Sequence, residues 1–152
     1  MKRILAAVDG SEAAIRALDF AIKLAAETQA ELVILTVAEE LYVGDGALEQ
    51  FARSEHLGSA WADLTEASAK HILSTAETRV ASCQGLRWRA EWRMGYPAGE
   101  IIRFAKEQAC DLVVAGHVGR SRLLGVLLGS VAFKLVTLCP CPVTIVGPAS
   151  RP

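Results

Sequence analysis

The run Ile4-Leu-Ala-Ala-Val8 has no polar side. A surface helix would break such a run with polar residues at a period of 3.6, and a half-exposed strand would break it at a period of 2. A short strand covered on both faces does neither. Covering both faces of a sheet takes helices, and parallel strands need crossover connections that helices supply. One pentapeptide therefore points to an α/β sandwich.

The rest of the chain fits that demand. Ser11 can cap a helix whose apolar side is Ala14, Leu18, Ala21, Ile22 and Ala25. Glu31 to Val37 reads as a second strand, and Gly44 and Gly46 mark a loop. A helical region runs from about Leu48 to Cys83, with a break near Gly58; Leu57, Trp61, Leu64, Ile72, Ala76 and Val80 form a stripe expected to be core, and Gly85 ends it. Arg87 to Arg93 alternates strictly. Trp88, Ala90 and Trp92 face one way and Arg87, Arg89, Glu91 and Arg93 the other, as on a half-exposed edge strand. Pro97 opens a helix to about Gln108, Asp111 to Ala115 is a fourth strand, Ser130 to Leu138 a last helix and Val143 to Val146 a last strand. The chain shows no internal repeat and no low-complexity tract.

The expected fold is one α/β domain spanning residues 1–152, a doubly wound, five-stranded parallel sheet in the order 3-2-1-4-5, Rossmann-like in the broad sense. Strands one and four, the most apolar, then sit in the middle. The winding reverses between them, and ligands of open α/β sheets bind outside the carboxyl ends of the strands at such a reversal. Asp9 and Gly116 occupy those two ends.

Composition narrows the function. With 16 basic and 17 acidic residues the net charge is -1, without the basic excess of a nucleic-acid binder. Lys2 and Arg3 precede only five apolar residues before Asp9, too few for a secretory h-region, and no apolar stretch approaches the ~20 residues of a membrane span. A cytoplasmic protein is expected. Cys83, Cys110, Cys139 and Cys141 include no CxxC pair and are read as buried thiols in a reducing compartment. His56, His71 and His117 have no partner at i+4, which argues against metal ligation; His117 is expected to face solvent. Glu39 and Glu40 read as a solvated loop, and Tyr42 is a candidate cover for a base.

From Gly116 the chain reads GHVGRSRLLGVLLGSV, that is, G-x-x-G, nine residues, then G-S. Glycines let backbone approach a ligand closely. Gly129-Ser130 falls where the last helix starts, where free N–H groups and the positive end of the helix dipole favour an anion. Ser130 adds a hydroxyl, and Arg120 and Arg122 can offset phosphate charge. The segment is not a Walker A loop, since no Gly-Lys-Ser/Thr occurs, and it does not follow strand one as the dinucleotide fingerprint does.

Together with Ile4-Leu-Ala-Ala-Val-Asp-Gly-Ser11, Asp111-Leu-Val-Val-Ala-Gly116 and Cys139-Pro-Cys-Pro-Val143, this segment resembles the universal stress protein family, in its ATP-binding branch, over nearly the whole chain. The resemblance implies a fold of the adenine-nucleotide α-hydrolase-like type. It implies that Asp9 and the backbone near Val37 hold the adenosine part, that Gly116, Gly119, Gly129 and Ser130 hold ribose and phosphates, and that Val8, Ala115 and Val131 line the site. It further implies ATP with Mg or Mn, a homodimer, and a role in stress responses or as a regulator of a partner protein. Thr36, Phe133 and Leu138 depart from the family's usual residues, none of them within the glycine-serine segment. Phe133 lies off the stripe Val131, Leu135, Leu138 and is expected to face outward.

No constellation for nucleophilic catalysis is visible and no G-x-S-x-G elbow occurs. The expected function is nucleotide binding whose bound state a partner reads, rather than fast catalysis. A slow ATPase, a cyclic-nucleotide binder and a nucleotide-free interaction module of the same fold stay open. The strand Val143–Val146 is short, apolar and β-branched, and it carries no charge to blunt an edge. It is the expected homodimer contact, with a folded-back tail Pro148–Pro152 as the alternative cover.

Overall fold

The computed structural model describes residues 1–39, 57–120 and 127–148, without the side chains of residues 57–59. Glu40, Tyr42, Gly44, Gly46, Leu48, His56, Arg122 and the end of the tail lie outside the described residues.

Strands β1 (Arg3–Ala7), β2 (Glu31–Ala38), β3 (Trp88–Met94), β4 (Leu112–Gly116) and β5 (Val143–Val146) form one parallel sheet in the order β3-β2-β1-β4-β5. The described helices are α1 (Glu12–Thr28), α2 (Leu57–Ala81), α3 (Pro97–Glu107) and α4 (Ser130–Leu138). The apolar runs bury both faces, as their composition requires. Ile4, Ala6, Leu32, Ile34, Leu112 and Val114 pack with α1 and α2, whereas Leu5, Ala7, Val33, Leu35, Val113 and Ala115 pack with α3 and α4. Ser11 caps α1 by accepting the Ala14 N–H at 3.1 Å, and Ala14, Leu18, Ala21 and Ala25 are buried beneath it.

Several expectations need correction. On α2 the core stripe holds for Ala76 and Val80 and in part for Ile72, but Trp61 and Leu64 are exposed, and Leu73, off the expected stripe, is buried. The helix has 25 residues and the neighbouring β2 has 8. These correspond to lengths of about 37 Å and about 26 Å, so the amino-terminal part of α2 overhangs the sheet. On α4, Leu138 is exposed as well as Phe133, because the core contact of this short helix ends at Leu135. Only Cys110 of the four cysteines is buried; Cys83, Cys139 and Cys141 are partly exposed.

The arginine face of β3 is not simply solvated. Arg93 and Arg89 lie over the Phe104 ring, 4.6 and 5.8 Å from its centroid. Arg89 also bonds Glu31 at 3.1 Å and Arg93 bonds Glu107 at 2.7 Å. A guanidinium can stack on an aromatic face while its N–H groups serve carboxylates at the rim, so Arg89 and Arg93 are partly covered while Arg87 stays exposed.

Candidate functional site

Past the carboxyl ends of β1, β2 and β4 a cleft of about 350 Å³ opens against the amino ends of α3 and α4. Val8, Asp9, Val37, Ala115, Gly116, Gly119, Arg120, Gly129, Ser130 and Val131 all line it. The fold thus brings together these ten residues, from β1, β2, β4, the loop after β4 and α4, while the candidates Arg122 and Tyr42 lie outside the described residues. Leu35, Pro97, Ile101 and Glu39 complete the wall. Pro97 and Ile101 were missed because α3 carries no motif; the one available signal was the winding reversal, which places the amino end of the α3/α4 layer beside it.

The end of β1 is held firmly. Val8 donates its N–H to the Leu35 carbonyl at 2.9 Å, and its own carbonyl accepts the Thr36 hydroxyl at 3.1 Å. Among the described residues Thr36 is the buried polar residue of the core, and that bond satisfies it. Asp9 follows and works with both carboxylate oxygens. Oδ1 accepts the Ser11 N–H at 2.9 Å and Oδ2 accepts the Arg120 N–H at 3.2 Å. Asp9 therefore shapes the turn into α1 and also pins the start of the glycine loop, two elements more than a hundred residues apart in the chain.

The motif glycines are crowded by the protein's own atoms. A Cβ on Gly116 would lie 2.7 Å from the Ala13 carbonyl carbon, so this glycine lets α1 sit against β4. A Cβ on Gly119 would lie 3.0 Å from Asp9 Oδ2, and one on Gly129 would lie 3.3 Å from both the His117 oxygen and the Val118 Cα. These residues build the wall of the cleft by close backbone packing, a role sequence reasoning had given to ligand approach alone.

Gly129 occupies the N-cap of α4, and no side chain caps that helix. The first-turn N–H groups thus lack the usual side-chain acceptor at an end that opens on the cleft, beside the exposed Ser130 hydroxyl. Such an end favours an anion. His117 does not simply face solvent. Its N–H donates to the Val146 carbonyl at 3.1 Å, its ring Nδ1 lies 3.2 Å from the same oxygen, and its carbonyl accepts the Gly129 N–H. One residue ties the glycine loop to the carboxyl end of β5.

Among the described residues, no three histidine, cysteine, aspartate or glutamate side chains converge on a possible metal position. Among the described residues Asp9 and Glu39 are the carboxylates on the cleft, and Asp9 already accepts two N–H donors. Among the described residues no helix is long and apolar enough to cross a membrane.

The Universal stress protein family matches residues 1–147 of the chain. Universal stress protein YxiE of Bacillus subtilis (strain 168) is 37% identical over 145 residues, 95% of this chain and 97% of that protein. The structure of universal stress protein UspA from Lactobacillus plantarum superposes with a TM-score of 0.82 at 29% identity, over 95% of this chain and 97% of that one. A universal stress protein solved in complex with cAMP superposes with a TM-score of 0.69 at 27% identity, over 95% of this chain and 96% of that one.

Proposed function

The chain belongs to the universal stress protein family, and on that premise we propose that the cleft binds an adenine nucleotide, ATP in the first place, as a stress-response regulator. The observation that carries the reading is the uncapped amino end of α4, with Ser130 beside it, facing a cleft bounded by the carboxyl ends of the two central strands. In this reading the base and ribose lie toward Val8, Asp9 and Val37. The phosphates lie toward Gly119, Gly129 and Ser130, with the exposed Arg120 offsetting their charge. The divalent cation, Mg or Mn, arrives with the phosphates. Phosphate oxygens and water hold it, as magnesium usually retains several waters, since the described residues of the chain bring no ligand set of their own.

Fast hydrolysis needs a positioned water or base besides electrostatic cradling. The residues lining the cleft supply Asp9, which is committed to two backbone donors, and Glu39, which is exposed. The proposed role is therefore binding with slow turnover at most, in the cytoplasm, with the nucleotide-bound surface read by a partner protein. A homodimer through the open edge of β5 belongs to the same proposal. A cyclic nucleotide is the second reading, favoured by the similar universal stress protein described in complex with cAMP.

Calorimetric titration with ATP, ADP and cyclic AMP tests both readings. Ser130→Ala should weaken ATP binding by about 1 kcal/mol or somewhat more, the scale of one hydrogen bond to a charged group. Gly129→Val should abolish it by pushing the His117–Gly119 backbone into the phosphate position. Wild-type affinity in Gly129→Val, or no adenine nucleotide bound by the wild type, overturns the proposal. Cyclic AMP binding tightly where ATP does not selects the second reading.

A further inference from the structure

At the amino end of β5, across the sheet from the cleft, the chain reads Cys139-Pro140-Cys141-Pro142. Each cysteine precedes a proline, which disfavours the helical region for both and favours extended backbone. Cys139, the C-cap of α4, has φ -68° and ψ 138°. The Cys139 and Cys141 Sγ atoms are 3.7 Å apart. Both side chains are partly exposed, Pro140 is exposed, and the chain bends at Pro140 and Cys141. The proline rings have already removed backbone freedom that a cross-link would otherwise have to remove. The segment is thus preorganised for a bond between its two sulfurs, which requires their approach to about 2.05 Å.

We propose that Cys139 and Cys141 form a dithiol site that a hydroperoxide oxidises reversibly to an intrachain disulfide. The Cys139 thiolate attacks a peroxide oxygen and the O–O bond breaks. Water or an alcohol leaves with a proton, and Cys139 becomes a sulfenic acid. The Cys141 sulfur then attacks the Cys139 sulfur, the S–O bond breaks, and a molecule of water leaves carrying the Cys141 proton. The two thiols together give up two electrons, and the peroxide accepts them. A dithiol reductant reverses the reaction by thiol–disulfide exchange.

Burial favours the protonated form of the two neighbouring thiols. Burial, and then the hydrogen bond with Cys139, push the Cys141 thiol up to about 12. Burial pushes the Cys110 thiol up to about 11. Cys110 belongs to the same apolar cluster and is the competing partner, but it is buried, whereas Cys141 is already in contact with Cys139.

The test uses the full chain, treated with hydrogen peroxide, quenched, unfolded and titrated for free thiols, with the cysteine peptides then identified by mass spectrometry. The thiol count should fall from the four of the sequence to two. The peptide holding Cys139 and Cys141 should be lighter by two hydrogens, and dithiothreitol should restore it. Cys110→Ser should still lose two thiols, whereas Cys139→Ser and Cys141→Ser should form no intrachain bond. A disulfide from Cys139 to Cys110, a disulfide between chains, uptake of oxygen without cross-linking, or an unchanged thiol count each overturns the proposal.

Discussion

The two edges of the sheet are built on opposite plans. β3 has 7 residues, and its arginines are engaged on one side. Arg89 and Arg93 stack over Phe104 and reach Glu31 and Glu107, while Arg3 bonds Glu31 from β1 at 2.8 Å. β5 has 4 residues, Val143-Thr-Ile-Val146, with no charge, and all of them are partly exposed. Val113 donates to the Pro142 carbonyl and His117 to the Val146 carbonyl. In a parallel ladder that alternation turns the peptide groups of Val143 and Ile145 away from β4, toward the open side. The neighbouring α4 exposes Phe133 and Val136. An edge strand invites pairing with another chain unless charge, proline or a bulge blunts it. β3 is blunted by charge that is itself anchored on an aromatic ring; among the described residues nothing pairs with the outer side of β5.

The largest expected effect comes from charging the open edge. Thr144 is the position to use, because Val143 and Ile145 pack into the α3/α4 core and a lysine there would confound assembly with folding. If β5 pairs with its copy about a two-fold axis, Thr144→Lys brings two like charges together, and light scattering should show the particle mass halved. An unchanged mass in the variant, or a monomeric wild type at micromolar concentration, removes the second chain from this edge.

The next effect concerns the closed edge. Phe104 is fully buried, and Phe104→Ala removes both core volume and the platform for two arginines. Urea unfolding should report a loss of about 3–5 kcal/mol, the range for large-to-small core changes at phenylalanine. A loss below about 1 kcal/mol would mean that the β3 face closes without its ring.

The smallest effect is acid sensitivity confined to the β3 side. The Glu31 carboxyl is held below its ordinary 4.5, chiefly by the hydrogen bond from Arg3, with burial opposing and Arg89 adding to the lowering. A depressed folded value means that the unfolded chain binds the proton more tightly. The contribution of Glu31 is then complete above the unfolded value and is lost as pH falls toward and through the folded one. Between neutral pH and about pH 3, Glu31→Gln should lose less stability than the wild type in urea titrations. Parallel acid limbs in the two proteins would contradict this. β5 has no titratable side chain of its own.

Much of this was legible in the sequence, for reasons that differ by region. Ile4–Val8 and Asp111–Ala115 could be read because a run without a polar side has one compact use, and the central strands fell within a residue of expectation. The cleft could be read in part because a winding reversal singles out Asp9 and Gly116 and the glycine-serine segment marks an anion-favouring helix end, whereas Val8, Val37, Ala115 and Val131 followed only from the family resemblance. Trp61 and Leu64 misled because helical periodicity marks a stripe without saying how far the sheet beneath it extends. The stacking of Arg89 and Arg93 was not legible because alternation distinguishes polar from apolar and cannot show a phenylalanine on α3 lying under a guanidinium. The grip of His117 on Val146 and of Asp9 on Arg120 joins segments remote in the chain, and no local pattern encodes such a bond.

The Ala13 backbone leaves Gly116 no room for a methyl group whether or not a ligand is ever bound. A descendant of this chain that had lost every affinity for nucleotide would still keep that glycine, or see α1 lift from the sheet. As a label for function it is therefore nearly mute. Counting glycines after β4 would enrol empty folds among the binders. Ser130, exposed at the mouth of the cleft and free of any such packing demand, is the letter in that segment whose loss would carry information.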